Sequence, residues 1–219
     1  MLRLIIGNRV YSSWSLRGWL AVKQSGLPFE EVVVSLYDED WPARRTRPDL
    51  APSAGKVPAL WDGDIAVWDS LAIIDYLDAQ TGGTLFWPKD NAALGLARSM
   101  AAEMHSGYQA LRNEHSMNLR KSYPRVPSEA VAENIARIME LWTLARSRFG
   151  AGGDFLFGAF GAVDIMFSAV VTRFVTYDLP VAPAMQPYVA AMQAHPFMRE
   201  WHECAMQESW QLPKFEQPG

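Results

Sequence analysis

The sequence predicts two domains of different class, an α/β unit followed by an all-α one. Three observations carry this. Within the first 36 residues an apolar run, an amphipathic stretch and a β-branched run follow one another. Two further short apolar runs flank Asp62-Gly63-Asp64, a strong hairpin signal. Beyond about residue 90 strand signals fade and long segments of helical periodicity take over.

Leu2 to Ile6 are apolar apart from Arg3, and Gly7-Asn8 breaks the run, as in a short buried strand and its turn. From Trp14 an apolar face continues through Trp19, Leu20, Ala21 and Val22 until Gly26-Leu27-Pro28 stops the helix. Phe29 to Leu36 is rich in β-branched residues and reads as a second strand. Strand, helix and strand make a βαβ unit, with right-handed crossover and parallel strands. Tyr37 to Pro52 is polar, dotted with Pro and Arg, and reads as a loop with a short helix. Val57 to Trp61 and Ile65 to Trp68 form the hairpin, and Asp69-Ser70 opens a helix closed by Gly82-Gly83. The order to residue 83 is βαβ-α-ββα.

Phe86 to Asp90 reads as a linker with a proline stop and an acidic cap. The periodicity then predicts one helix from Ala92 to about Arg120, through Met100, Met104, Tyr108 and Leu111. Ser128-Glu129 starts the next, running to about Phe149, and Gly150 to Gly153 turns the chain. Val163 to about Tyr177 is strongly apolar and reads as a central buried helix, followed by helices at Ala184–Ala194 and Pro196–Met206. The expected domains are residues 1–83 and 91–219.

A chain of 219 residues with 49% apolar content can bury a substantial core. Its net charge of −4 and lack of a basic block argue against nucleic acid as a partner, since phosphate neutralisation needs clustered Lys and Arg. No apolar run approaches the roughly 18 residues of a membrane span. The short apolar start, interrupted by Gly7-Asn8-Arg9, does not make a signal peptide. One cysteine, Cys204, permits neither an internal disulfide nor a Cys-rich metal site, and His105, His115, His195 and His202 lack metal-ligand spacing. The expectation is a cytoplasmic protein with no metal.

Three stretches carry chemistry. Tyr11-Ser12-Ser13-Trp14-Ser15-Leu16-Arg17 clusters hydroxyls at a helix N-terminus, where unpaired N–H groups and the helix dipole favour an anion or thiolate. One of these serines equally serves as an N-cap. Gly55-Lys56-Val57-Pro58 enters a strand. A cis Val57–Pro58 bond would turn the Val57 backbone outward to pair with an extended peptide, whereas a trans proline would simply start the strand. Asp69-Ser70 can bind a ligand's ammonium and carboxylate, or cap its helix.

Together these stretches resemble the glutathione transferase superfamily, and the resemblance covers essentially the whole chain. It implies a thioredoxin-like N-terminal domain with a mixed four-stranded sheet and an all-helical C-terminal domain. Tyr11 to Arg17 is similar to the serine motif of zeta-type and related bacterial members, Gly55 to Leu60 to the family's cis-proline strand, and Asp69 to Ile73 to the acidic-Ser motif that holds the γ-glutamyl end of glutathione. Phe160 to Asp164 occupies the place of the family's helix-capping motif, with Gly161 where Ser or Thr is usual.

The resemblance implies glutathione as co-substrate and Ser12 as the donor that favours its thiolate, with Ser13 the close rival. Asp69 and Ser70 would meet the γ-glutamyl end, Val57 (before Pro58) the cysteinyl backbone, and Lys56 a carboxylate. The electrophile pocket would lie between the domains, drawing on Trp14, Met104, His105, Tyr108 and Arg112. For Met104 and Tyr108 a core position is the competing reading. Zeta-type isomerases commonly have Cys where Trp14 stands, and thiol-transferring relatives place one at the motif's catalytic position. Neither Ser12 nor Trp14 offers a thiol, so the resemblance argues against glutathionyl exchange through a mixed disulfide and weakens a maleylacetoacetate-isomerase assignment. The resemblance further implies a homodimer acting on small electrophiles, as in detoxification. A different class of outcome is the same fold with a degenerate site, serving as an interaction module.

Overall fold

The computed structural model describes residues 1–216. Strands β1 (Leu2–Gly7), β2 (Phe29–Val34), β3 (Ala59–Asp62) and β4 (Ile65–Trp68) form one sheet in the order β2-β1-β3-β4. β1 lies parallel to β2, with Ile5 opposite Val32, and antiparallel to β3, with Ile5 opposite Ala59; β3 and β4 are antiparallel. Because β1 is central, apolar side chains are needed on both of its faces. Leu2, Leu4 and Ile6 join one core, and Ile5 joins Val34, Leu36, Trp41 and Leu50 on the other side.

Helix α1 (Ser13–Ser25) packs between the sheet and the helical domain. Gly26 ends it in the left-handed conformation at φ 68°, where glycine carries no Cβ penalty. The short α2 (Trp41–Arg44) follows β2, and α3 (Ser70–Gln80) follows β4. Gly18, in mid-α1, is dictated by space: a Cβ there would lie 2.6 Å from Cγ of Pro58. The glycine lets α1 rest directly on the strand entrance, where Val57–Pro58 is cis.

In the helical part, the single helix expected from Ala92 to Arg120 is instead two. α4 (Asn91–Ser106) stops at Gly107, Tyr108 turns left-handed at φ 62°, and α5 (Gln109–Glu114) sets off anew. The apolar spacing runs on through the break, so periodicity does not reveal it. The Arg112 guanidinium stabilises the break by donating to the carbonyls of Gly107 (2.8 Å) and Met104. Residues 115–128 then run without regular structure to α6 (Glu129–Phe149). α7 (Ala162–Tyr177) is buried along almost its whole length, and α8 (Gln186–Ala194) and α9 (Pro196–Gln207) complete the bundle.

The segment between the sheet and α4 is not a free tether. Phe86 and Trp87 are buried, and the Phe86 carbonyl accepts from Ala162 N–H at 2.8 Å. That carbonyl explains Gly161: a Cβ there would sit 2.6 Å from it. Asp164 supplies the capping interaction alone, accepting from the N–H groups of Gly161 (3.0 Å) and Leu156 (3.1 Å). One continuous apolar core joins Leu4, Ile6, Leu20 and Ile73 to Val163, Phe167 and Trp142 across the two parts. Among the described residues, no helix is long and apolar enough to cross a membrane.

Candidate active site

A cleft of about 750 Å³ opens where α1, the loop into β3 and the head of α3 converge, with His105 of α4 closing its far side. Ser12 lines it and is the N-cap of α1: its Oγ accepts from Ser15 N–H at 3.3 Å. The two readings of this serine are therefore compatible. Its Oγ also lies 2.8 Å from the Oγ of Ser15, which accepts from Gly7 N–H at 2.9 Å. Ser13 points elsewhere: it is absent from the cleft lining, and its Oγ accepts from Arg173 at 3.4 Å. The Tyr11 hydroxyl is also committed, donating to Glu216 at 2.6 Å. Burial and that carboxylate push it up to about 12.

Lys56, Val57 and Pro58 line the floor. The backbone N–H and C=O of Val57 take no partner among the described residues. A turn through Ala54 (φ 52°) and Gly55 (φ 71°) leads into this stretch. At Gly55 a Cβ would meet the Arg45 carbonyl at 2.8 Å. At the other end, Asp69 is held at φ 70°, a sparsely populated conformation for a residue other than glycine. One carboxylate oxygen accepts from Leu71 N–H at 2.9 Å, and the other lies 3.6 Å from Nε2 of His105. Ser70 also lines the cleft, yet its Oγ is buried and finds no partner among the described residues. A buried hydroxyl without a partner is unfavourable and fits a ligand acceptor.

Of the five residues assigned to the electrophile side, two line the cleft, Trp14 and His105, and their rings meet edge to face at 5.4 Å. Met104 is fully buried in the core and does not reach the cleft. Tyr108 is buried too, its hydroxyl donating to Glu103 at 2.9 Å, because the left-handed turn at this residue carries it off the α4 face. Arg112 sits behind Trp14, its guanidinium 5.3 Å from the ring centroid and its N–H groups committed to carbonyls.

Behind Trp14 the structure collects three arginines. Arg17 is fully buried, lies 4.9 Å from the Trp14 centroid and donates through Nε to the Met166 carbonyl at 3.0 Å; among the described residues both terminal nitrogens lack partners. Burial, then Arg112 and Arg173, push it well below the usual arginine range, and Asp69 opposes them. Arg173 is likewise lowered, to about 10, chiefly by burial. The indole thus separates the cleft from a positively charged interior.

Sequence reasoning did not assign Tyr37, Trp41, Arg45 and Trp68, which also line the cleft. Aromatics within the otherwise polar stretch 37–52 were the available signal. Arg45 adds a second cation beside Lys56. Among the described residues no three His, Cys, Asp or Glu side chains are grouped to hold a metal ion.

Residues 11–80 match the glutathione S-transferase N-terminal domain and residues 128–204 the C-terminal domain. The chain belongs to the glutathione transferase superfamily. No curated protein matches it. Among solved structures it resembles a glutathione transferase homolog from Burkholderia gl BGR1 with bound glutathione (21% identity, 94% of this chain and 97% of that one, TM-score 0.68). It is also similar to the theta class enzyme of Xanthomonas axonopodis pv. citri with glutathione bound (20% identity, 91% and 95%, TM-score 0.65). A third relative in fold is a diazinon-metabolizing glutathione S-transferase of the silkworm Bombyx mori (14% identity, 94% and 98%, TM-score 0.71). At these identities the likeness concerns the fold.

Proposed function

We propose that this protein is a glutathione transferase that binds glutathione along the cleft and activates its thiol at Ser12. The observation that carries this is the row of polar groups on one wall: the Ser12 hydroxyl at the head of α1 and, without partners among the described residues, the Val57 backbone and Ser70 Oγ. Ser70 and the N-terminus of α3 suit the γ-glutamyl carboxylate, and Asp69 suits the ammonium. The Val57 N–H and C=O suit the cysteinyl backbone as an added strand. Lys56 and Arg45 suit the glycyl carboxylate.

A free thiol near pKa 8.5 is only a few per cent ionised at neutral pH. A hydrogen bond from Ser12 and the positive end of α1 both favour the thiolate and lower that value. The thiolate then attacks the electrophilic carbon, and its leaving group departs with the displaced electron pair. Trp14 and His105 face the electrophile.

A second reading, glutathione-dependent isomerisation of a cis-dienoic acid of the maleylacetoacetate type, is favoured by the arginines behind Trp14, whose field attracts a carboxylate. We further propose a cytoplasmic homodimer. Calorimetry with glutathione tests the binding reading, and no heat at millimolar concentration would replace it with a non-enzymatic interaction module. A panel of aryl halides, hydroperoxides and cis-dienoic acids distinguishes the reactions, and sedimentation velocity reads the dimer.

A further inference from the structure

Ser12 does not meet the cleft alone. Its Oγ is 2.8 Å from that of Ser15, which accepts from the N–H of Gly7, at the end of β1, at 2.9 Å. The two serines own two hydroxyl protons and share one contact. Ser15 is fully buried, whereas Ser12 lines the cleft. Two orientations of the pair follow. If Ser12 donates to Ser15, the Ser15 proton is left in a dry interior, with no other acceptor among the described residues. If Ser15 donates to Ser12, the fully buried Ser15 hydroxyl is paired both as acceptor and as donor, and the proton left over is that of Ser12, at the cleft lining. Burying an unpaired donor is the unfavourable choice, so the second orientation prevails.

We infer that Ser15 is a positioning residue: held by Gly7 N–H, it donates to Ser12 Oγ and thereby directs the Ser12 proton into the cleft. In this orientation, the reverse of a Ser12-to-Ser15 bond across the same 2.8 Å contact, Ser12 Oγ accepts from both the N–H and the O–H of Ser15. That strengthens it as a donor through the run Gly7 N–H to Ser15 O–H to Ser12 O–H. The inference rests on the reading of Ser12 as the thiol's hydrogen-bond donor. No proton is transferred along the run; its direction is set before glutathione arrives.

The test is the apparent pKa of bound glutathione, read from thiolate absorbance across pH, with the pH profile of kcat/KM. Ser15→Ala is expected to raise that pKa by about half to one unit, and so to lower kcat/KM three- to tenfold below it. Activity should recover at high pH, with glutathione affinity little changed. Loss of the Gly7 partner lowers the melting temperature too, but a purely structural role would leave the bound thiol's pKa unmoved. In a Ser12→Ala background, Ser15→Ala should have no further effect on the pKa. If Ser15→Ala does not fold, Ser15→Cys, whose S–H is a weak donor, is read in its place. A folded Ser15 variant with the wild-type pKa, alongside a Ser12→Ala variant that shifts it, overturns the inference alone. An unshifted Ser12→Ala overturns the thiolate reading as well.

Discussion

On the wall supplied by the loop into β3, α3 and the head of α1, polar groups are left open: among the described residues the Val57 backbone has no partner and Ser70 Oγ finds none. Across the cleft the helical domain's groups are largely spent on one another. Tyr108 donates to Glu103, Arg137 pairs with the same carboxylate at 2.8 Å, and Arg112 caps the broken end of α4. Among the described residues, His105 alone from that side lines the cleft, against Trp14. On the proposed function, the difference assigns recognition of glutathione to the open wall. A wall with unsatisfied groups is built for a particular polar ligand, whereas a wall already satisfied offers shape and field and can admit varied apolar groups.

Substitutions on the open wall should therefore change binding and chemistry, while those on the closed wall should change stability. The largest effect is expected for Ser12→Ala: a fall in kcat of about 10–100-fold with glutathione affinity mostly intact, since one donor to a developing or stabilised anion is lost. Steady-state kinetics beside calorimetry measures both, and an unchanged rate would remove Ser12 from the mechanism. Ser70→Ala comes next, with glutathione Kd raised about tenfold, as for loss of one hydrogen bond to a charged group. Gly18→Ala drives a methyl into Pro58 and should lower stability by about 1–3 kcal/mol, weakening glutathione binding in proportion to the displacement of Val57. Chemical denaturation and calorimetry on the same sample read the two effects. Smallest is Tyr108→Phe, expected to lose about 1 kcal/mol of stability with turnover altered less than about twofold. A large kinetic change there would show that the closed wall takes part in the chemistry.

The four-stranded sheet and its helices were legible because each boundary has a local cause: Gly26, Asp62-Gly63-Asp64 and Gly82-Gly83 act on their own neighbours. The break between α4 and α5 was not, because Met104, Tyr108 and Leu111 keep an apolar rhythm through it. Its stabiliser, Arg112, lies beyond the break, and nothing local marks its guanidinium as a cap. Gly161 is similar. In sequence it is a departure, Gly where Ser or Thr is usual, and the Phe86 carbonyl, 75 positions earlier, gives it a reason. In the site, hydroxyls at a helix head were visible, but the difference between Ser12 and Ser13 depends on Arg173, which approaches from α7. The arginines behind Trp14 combine one readable neighbour, Arg17 at i+3, with two that tertiary folding brings in.

Beyond α9 the chain returns to the loop that precedes Ser12. The Glu208 carboxylate accepts from Arg9 N–H at 2.9 Å, Glu216 accepts from the Tyr11 hydroxyl, and the Trp201 indole donates to the Arg9 carbonyl at 3.2 Å. Asn8 holds the turn locally, its carbonyl accepting from the N–H groups of Tyr11 and Ser12. During synthesis, however, Arg9 and Tyr11 emerge nearly two hundred positions ahead of Trp201, Glu208 and Glu216. The turn can form with the sheet while the ribosome is still making the bundle, but its ties to α9 and the segment after it come last. A ribosome-bound first domain would thus carry its serine on a loop not yet fastened to the bundle.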